Sequence, residues 1–180
     1  MIDQQQSGLD LLQQIEAQSK QVAAALSHTD LSQHLWTGVS FKLSGSQVVL
    51  SMSDVAEIFN LPTTLTRVPG AAAWVKGIAN VRGNLMPIID LQSYLGGKPI
   101  LTNRRSRVLV INRPEIVTGL LVGDVMGMQR FRKSQRVPSA RVDGFIGRLV
   151  SGAFQNKKGV WPVLSIQRLI SEDAFLKAAA

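Results

Sequence analysis

Residues 67–91 read RVPGAAAWVKGIANVRGNLMPIIDL, and the fold turns on this stretch. Pro69 and Gly70 interrupt any regular element, because proline lacks a backbone donor and glycine favours turns. Val75–Asn80 follows as a β-type run, Arg82-Gly83-Asn84 turns the chain, and Leu85–Ile89 returns as a second run. Gly77 inside the first run predicts a bulge or a close approach of another backbone. Arg82 ends an otherwise apolar strand, so its guanidinium calls for a carboxylate or carbonyl partner. Trp74 reads as core or rim packing rather than as a ring for stacking a ligand.

The same pattern extends to either side. Val39–Leu43, Val48–Ser51, Val108–Ile111, Ile116–Val122, Phe145–Val150 and Val160–Leu164 are further short apolar runs, most of them separated by Gly, Pro, Asn or Ser. Closely and fairly evenly spaced short strands predict an all-β body, a barrel or a sandwich. Gly45-Ser46 marks another hairpin turn, and short helical turns are expected at Val55–Phe59, Leu91–Leu95 and Ile166–Ile170. The strands divide into two halves, roughly 40–100 and 101–165. Residues 1–36 differ, being rich in Gln, Ala and Leu. There Leu12, Ile15, Ser19, Val22 and Leu26 recur at helical spacing, and Ser7 with Asp10 resembles a capping box. The expected organisation is an N-terminal helical extension, 1–36, and a β body, 37–180.

Composition narrows the chemistry. The chain has 180 residues and no cysteine, which excludes disulfides, thiolate metal sites and cysteine nucleophiles. Its two histidines, His28 and His34, both lie in the N-terminal segment. No histidine pair has metal-ligand spacing, and the acids are thinly spread, so neither zinc nor magnesium is expected. Gly96-Gly97-Lys98-Pro99 fails as a phosphate loop, because Pro99 stands where Ser or Thr is required. The expectation is a non-enzyme without cofactors. Residues 116–128 form the most membrane-like run, but they include Asp124 and are shorter than the ~20 apolar residues a spanning helix needs. No secretory signal is visible at the N-terminus, so a soluble, cytoplasmic protein without membrane insertion is expected.

Charge is unevenly placed. The net charge of +8 comes from −1 over residues 1–100 and +9 over residues 101–180. Arg104-Arg105-Ser106-Arg107 and Arg130-Phe131-Arg132-Lys133-Ser134-Gln135-Arg136 form two basic clusters. They suit a solvated face, an acidic partner or, as the alternative function, an SH3- or OB-like nucleic-acid binder. A nucleic-acid binder would set exposed aromatic rings among its cations, and Phe131 is the only ring in these clusters.

The opening stretch resembles the hallmark of the CheW family, Pro-x-x-x-x-Val-x-Gly-x-x-Asn-x-Arg-Gly-x-x-x-Pro-x-x-Asp-Leu. Here it is met by Pro69, Val75, Gly77, Asn80, Arg82, Gly83, Pro87, Asp90 and Leu91, with one extra residue after Pro69. Upstream, Val55-Ala56-Glu57-Ile58 resembles the family's Val-x-Glu-Ile element; downstream, Gly119-Leu120-Leu121-Val122 resembles a later strand. The similarity covers about residues 40–170. One departure is Gly123-Asp124-Val125, where the Asp falls one position away from the family's place. The N-terminal extension is similar to that of the type IV pilus (twitching motility) branch of the family, PilI.

The resemblance implies two intertwined five-stranded SH3-like barrels with a short C-terminal helix. It also implies an adaptor that couples a methyl-accepting chemoreceptor to a CheA-type histidine kinase. The receptor's cytoplasmic hairpin tip would enter a groove, the kinase regulatory domain would pair with another face, and the adaptor would join receptor arrays at the inner membrane. Self-association within such arrays is a further expectation. By motif, Val55, Glu57, Gly77, Asn80, Arg82 and Gly83 are the expected receptor-coupling residues. Glu57 is also the natural counter-charge for Arg82, and an ion pair between them is expected.

Overall fold

The computed structural model describes residues 35–138 and 145–179. The strands pack in the compact unit of residues 36–180. The helix expected within residues 1–36 lies outside the described residues. Within the described residues ten strands follow one another as β1 (Leu35–Leu43), β2 (Ser46–Ser51), β3 (Glu57–Asn60), β4 (Val75–Val81), β5 (Asn84–Asp90), β6 (Ser106–Arg113), β7 (Ile116–Arg132), β8 (Arg136–Val137), β9 (Val150–Asn156) and β10 (Gly159–Leu164). The three short helices among the described residues are α1 (Leu91–Tyr94), α2 (Ile166–Ile170) and α3 (Asp173–Ala179). The all-β class holds.

The strands form two groups of five, and each group has the same pairing pattern. In one, β3, β6, β7, β5 and β4 lie side by side; in the other, β8, β9, β10, β2 and β1 do. Read in those orders, each group runs antiparallel, antiparallel, parallel, antiparallel. The long strand β7 pairs with β1 and so belongs to both. A boundary near residue 100 therefore does not separate the groups, contrary to expectation. The second group joins strands from both ends of the described chain, while the first is built from its middle.

Burial explains the apolar runs. Along β6, Val108 and Val110 face a core within the first group, while Leu109 and Ile111 face the largest core. Along β2, Val49 faces the second group's core, and Val48 and Leu50 face the largest one. A strand buried on both faces loses its polar alternation and reads as a continuous apolar run. Residues from both groups share the largest core, which the C-terminal helices close with Leu169, Ile170 and Phe175. Trp74 packs there too, its ring 4.8 Å from Tyr94, so the reading of Trp74 as packing holds.

Three local expectations fail for identifiable reasons. Val55–Phe59 is no helical turn: a 3-10 turn occupies Met52–Asp54, and Glu57–Asn60 pairs with β6 as a strand. Phe145–Val150 is not a strand but leads into a 3-10 turn at Gly147–Leu149. The strand begins at Val150 and runs through small and polar residues whose β signal is weak. The run from Ile116 continues to Arg132, across Gly123 and Gly127, because pairing overrides local propensity.

Candidate functional site

Most of the signature hairpin serves the backbone. Val81 pairs with Asn84, so Arg82 and Gly83 alone connect β4 to β5. Both have positive φ, 52° and 86°, the pattern of a type I′ turn that matches strand twist. Arg82 therefore sits in the turn itself, not at the strand end. The Asn80 side-chain oxygen accepts the Gly83 N–H at 2.9 Å, which holds the turn closed.

Further along β4 the register shifts between Val75 and Gly77, which is the expected bulge. The close approach is present as well, since Thr66 exchanges two backbone hydrogen bonds with Ile78. A Cβ on Gly77 would lie 2.6 Å from the Thr66 carbonyl oxygen. At the far end, fully buried Asp90 caps α1 by accepting from Ser93 N–H at 3.0 Å, and accepts Ile100 N–H at 2.8 Å. Leu91 is buried in the largest core.

Arg82 is the charged side chain that the motif presents to solvent. Its Nη2 lies 2.7 Å from Glu57 Oε1, so the expected ion pair forms. The Arg82 side chain is 78% exposed, and a pair so exposed contributes under about 1 kcal/mol to stability. The pair borders an open cleft of about 690 Å³ whose other lining residues include Gly83, Leu85, Val110 and Val117. Leu85 is 73% exposed and Val117 44% exposed, two apolar side chains presented to solvent beside a charge pair.

The structure thus brings Glu57, Arg82 and Gly83 together at one cleft, with Asn80 behind the turn. Val55 does not reach it, being buried in the largest core, and Gly77 lies buried against Thr66. Ala56, between Val55 and Glu57, donates its N–H to Val110 at 2.9 Å, which sets Glu57 at the head of β3. Leu85 and Val117 escaped the sequence reading, because Leu85 opens an apolar run that reads as buried throughout.

Several of the other described acids have structural partners. Asp54 pairs with Arg113, Asp124 accepts from Asn103 at 3.1 Å, and Glu172 pairs with Arg148 and accepts the Tyr94 hydroxyl. Burial, and then that hydrogen bond, push the Tyr94 phenol above its ordinary pKa. Among the described residues no three His, Cys, Asp or Glu side chains converge as a metal site would require. No helix among them is long and apolar enough to cross a membrane. Phe131, the one ring inside the basic clusters, is buried and stacks on Phe154 at 4.7 Å, so it offers no face to a nucleic-acid base.

Comparison with known proteins agrees with this geometry. The CheW-like domain model matches residues 37–174. Protein PilI of Pseudomonas aeruginosa is 33% identical over 177 residues, which cover 97% of this chain and 97% of that protein. The chemotaxis protein CheW of Helicobacter pylori is 22% identical, covering 84% and 91% of the two chains. The crystal structure of the scaffolding protein TtCheW from Thermoanaerobacter tengcongensis superposes with a TM-score of 0.67 at 22% identity, over 77% of this chain and 94% of that one. A hairpin built around the family's motif, the fold of a solved relative and a match over most of the β body lead to one conclusion: the chain belongs to the CheW-like family.

Proposed function

We propose that the chain is a non-catalytic adaptor that couples a chemoreceptor to a CheA-type histidine kinase, acting in twitching motility. The observation that carries this reading is the Glu57–Arg82 pair beside exposed Leu85 and Val117, on the hairpin that holds the family motif. An exposed charge pair adds little to the fold, whereas next to apolar side chains it can orient a docking helix. The receptor's hairpin tip lays its apolar residues on Leu85 and Val117, and Arg82, steered by Glu57, fixes the register. Asn80 and Gly83 hold the turn, while Val55 and Gly77 set the strands that present it. The kinase regulatory domain binds a different face, and copies of the chain associate within arrays at the inner membrane. Residues 37–180 form the adaptor body and residues 1–36 its extension. The similarity to PilI over 97% of the chain supports the twitching-motility assignment.

The test is a pull-down of purified receptor hairpin and kinase regulatory domain by the full chain. Leu85→Glu should lose the receptor hairpin while retaining the kinase domain and an unchanged Tm. Retention of both partners by Leu85→Glu and by Val117→Glu sinks the cleft as the receptor surface.

A further inference from the structure

A second surface lies in the other strand group, away from the signature hairpin. Between Val125 and Ile170 the sequence carries nine Lys and Arg against a single acid, Asp143. The fold gathers several of these cations. β8 runs antiparallel to β9, with Arg136 opposite Phe154. This places the preceding 3-10 turn, with Lys133, beside the end of β9, where Lys157 and Lys158 form the two-residue connection to β10. The cluster at residues 130–136 and the pair Lys157-Lys158 thereby become one basic end. β7 leads into it with alternate exposed residues, Met126, Met128, Arg130 and Arg132. Arg130, Arg132, Lys133, Arg136, Lys157 and Lys158 are all exposed, and among the described residues none forms an ion pair.

The neighbouring side chains identify the kind of partner. Of the rings close to these cations, Phe131, Phe154 and Trp161 are buried against one another and half-buried Trp36 packs on Phe154 at 4.7 Å, so among the described residues no ring there stands fully exposed for stacking a base. The connection between β9 and β10 carries only lysines, with no leucine or aromatic tip to enter a bilayer. What the surface does offer is Met128, 65% exposed, and Met126, 39% exposed, in line with the two arginines of the same strand. Methionine is an adaptable apolar contact, and arginine forks match carboxylates in geometry.

We propose that this basic end docks an acidic protein segment, whose apolar side chains rest on Met126 and Met128 and whose carboxylates meet the six cations. The contact is separate from the receptor cleft, so both can be occupied together.

The test measures binding of the full chain to two synthetic peptides of equal negative charge, one of Glu and Ser, the other with Leu replacing every Ser. A thymidine oligomer and phosphatidylcholine vesicles containing phosphatidylglycerol serve as the competing anions. The Glu-Leu peptide should bind tightest, and K133E/R136E/K157E/K158E should weaken it about tenfold or more. M126S/M128S should abolish the preference for the Glu-Leu peptide over the Glu-Ser peptide. Should the fourfold variant fail to fold, salt titration of the unaltered chain decides, since an affinity indifferent to salt overturns the proposal. Tighter binding to the oligomer or to the vesicles, or equal binding of the two peptides, overturns it as well.

Discussion

The hairpins β1–β2 and β4–β5 occupy equivalent places in their strand groups, yet only one faces the cleft. Each has a two-residue connection, Ser44-Gly45 or Arg82-Gly83, and the backbones are nearly the same. Their φ values are 49° and 82° in the first, 52° and 86° in the second. The difference lies in what occupies the first position. Ser44 gives its N–H to Gln92 Oε1 at 2.6 Å, which ties that turn to the segment after β5. Arg82 instead reaches across to Glu57. A long side chain in the left-handed region costs about 1 kcal/mol relative to glycine, and Arg82 recovers little of that from an exposed pair. The turn conformation is thus common property of the two hairpins, and the side chain at its first position distinguishes a tied turn from one that presents a charge.

The largest expected effect concerns what the hairpins do not share. Gly77 precedes Arg82 by five residues, as Val39 precedes Ser44, but only Gly77 marks a bulge, with φ 139°. Gly77→Val should cost about 2–4 kcal/mol by chemical denaturation, from strain and the clash with Thr66. A loss under about 1 kcal/mol would show that the bulge relaxes freely. Next, a Cβ on Gly45 or Gly83 would meet no atom within 4 Å, so only backbone strain opposes alanine there. Both alanine variants should lose about 1 kcal/mol, and unequal losses would break the equivalence of the turns.

Asparagine tolerates the left-handed region, so Ser44→Asn and Arg82→Asn should each stabilise by about 0.5 kcal/mol or less. Only Arg82→Asn should also weaken capture of the receptor hairpin, by about tenfold. Equal capture by both variants would leave Arg82 without a role in binding. The smallest effect separates by pH Gln92, which ties the first turn, from Tyr94 two residues on, which donates to Glu172. Gln92 is neutral at all relevant pH, whereas folded Tyr94 holds its proton above the ordinary phenol pKa. Its contribution is complete below pH ~10 and falls as pH rises through the folded value. Tyr94→Phe should therefore flatten the alkaline decline in Tm, and Gln92→Ala should leave the slope unchanged.

The sequence made the signature hairpin legible because its residues answer to local rules. Gly77, Gly83 and Pro87 report backbone geometry, and Asn80 bonds a residue three positions away. The Glu57–Arg82 pair was legible because an arginine among apolar neighbours requires a counter-charge. What stayed hidden depends on distant pairing. Val150–Asn156 becomes a strand because β10 and β8 flank it, not because Ser151 and Gly152 favour one. Leu85 and Val117 read as core, and no local pattern announces that this side of the sheet is open. Lys157 and Lys158 likewise joined the basic cluster only through the pairing of β8 with β9.

The parallel pair of β2 with β10 sets a schedule for synthesis. Val49 lies beside Val163, so β2 must wait for almost the entire chain before its neighbour exists. The middle group spans residues 57 to 132 and can close its pairings while the ribosome is still making β9 and β10. Until then the first hairpin waits with one edge of β2 unpaired, the kind of edge that recruits other chains. A nascent chain stalled before Val163 would thus expose aggregation-prone surface at its beginning, far in sequence from the stall.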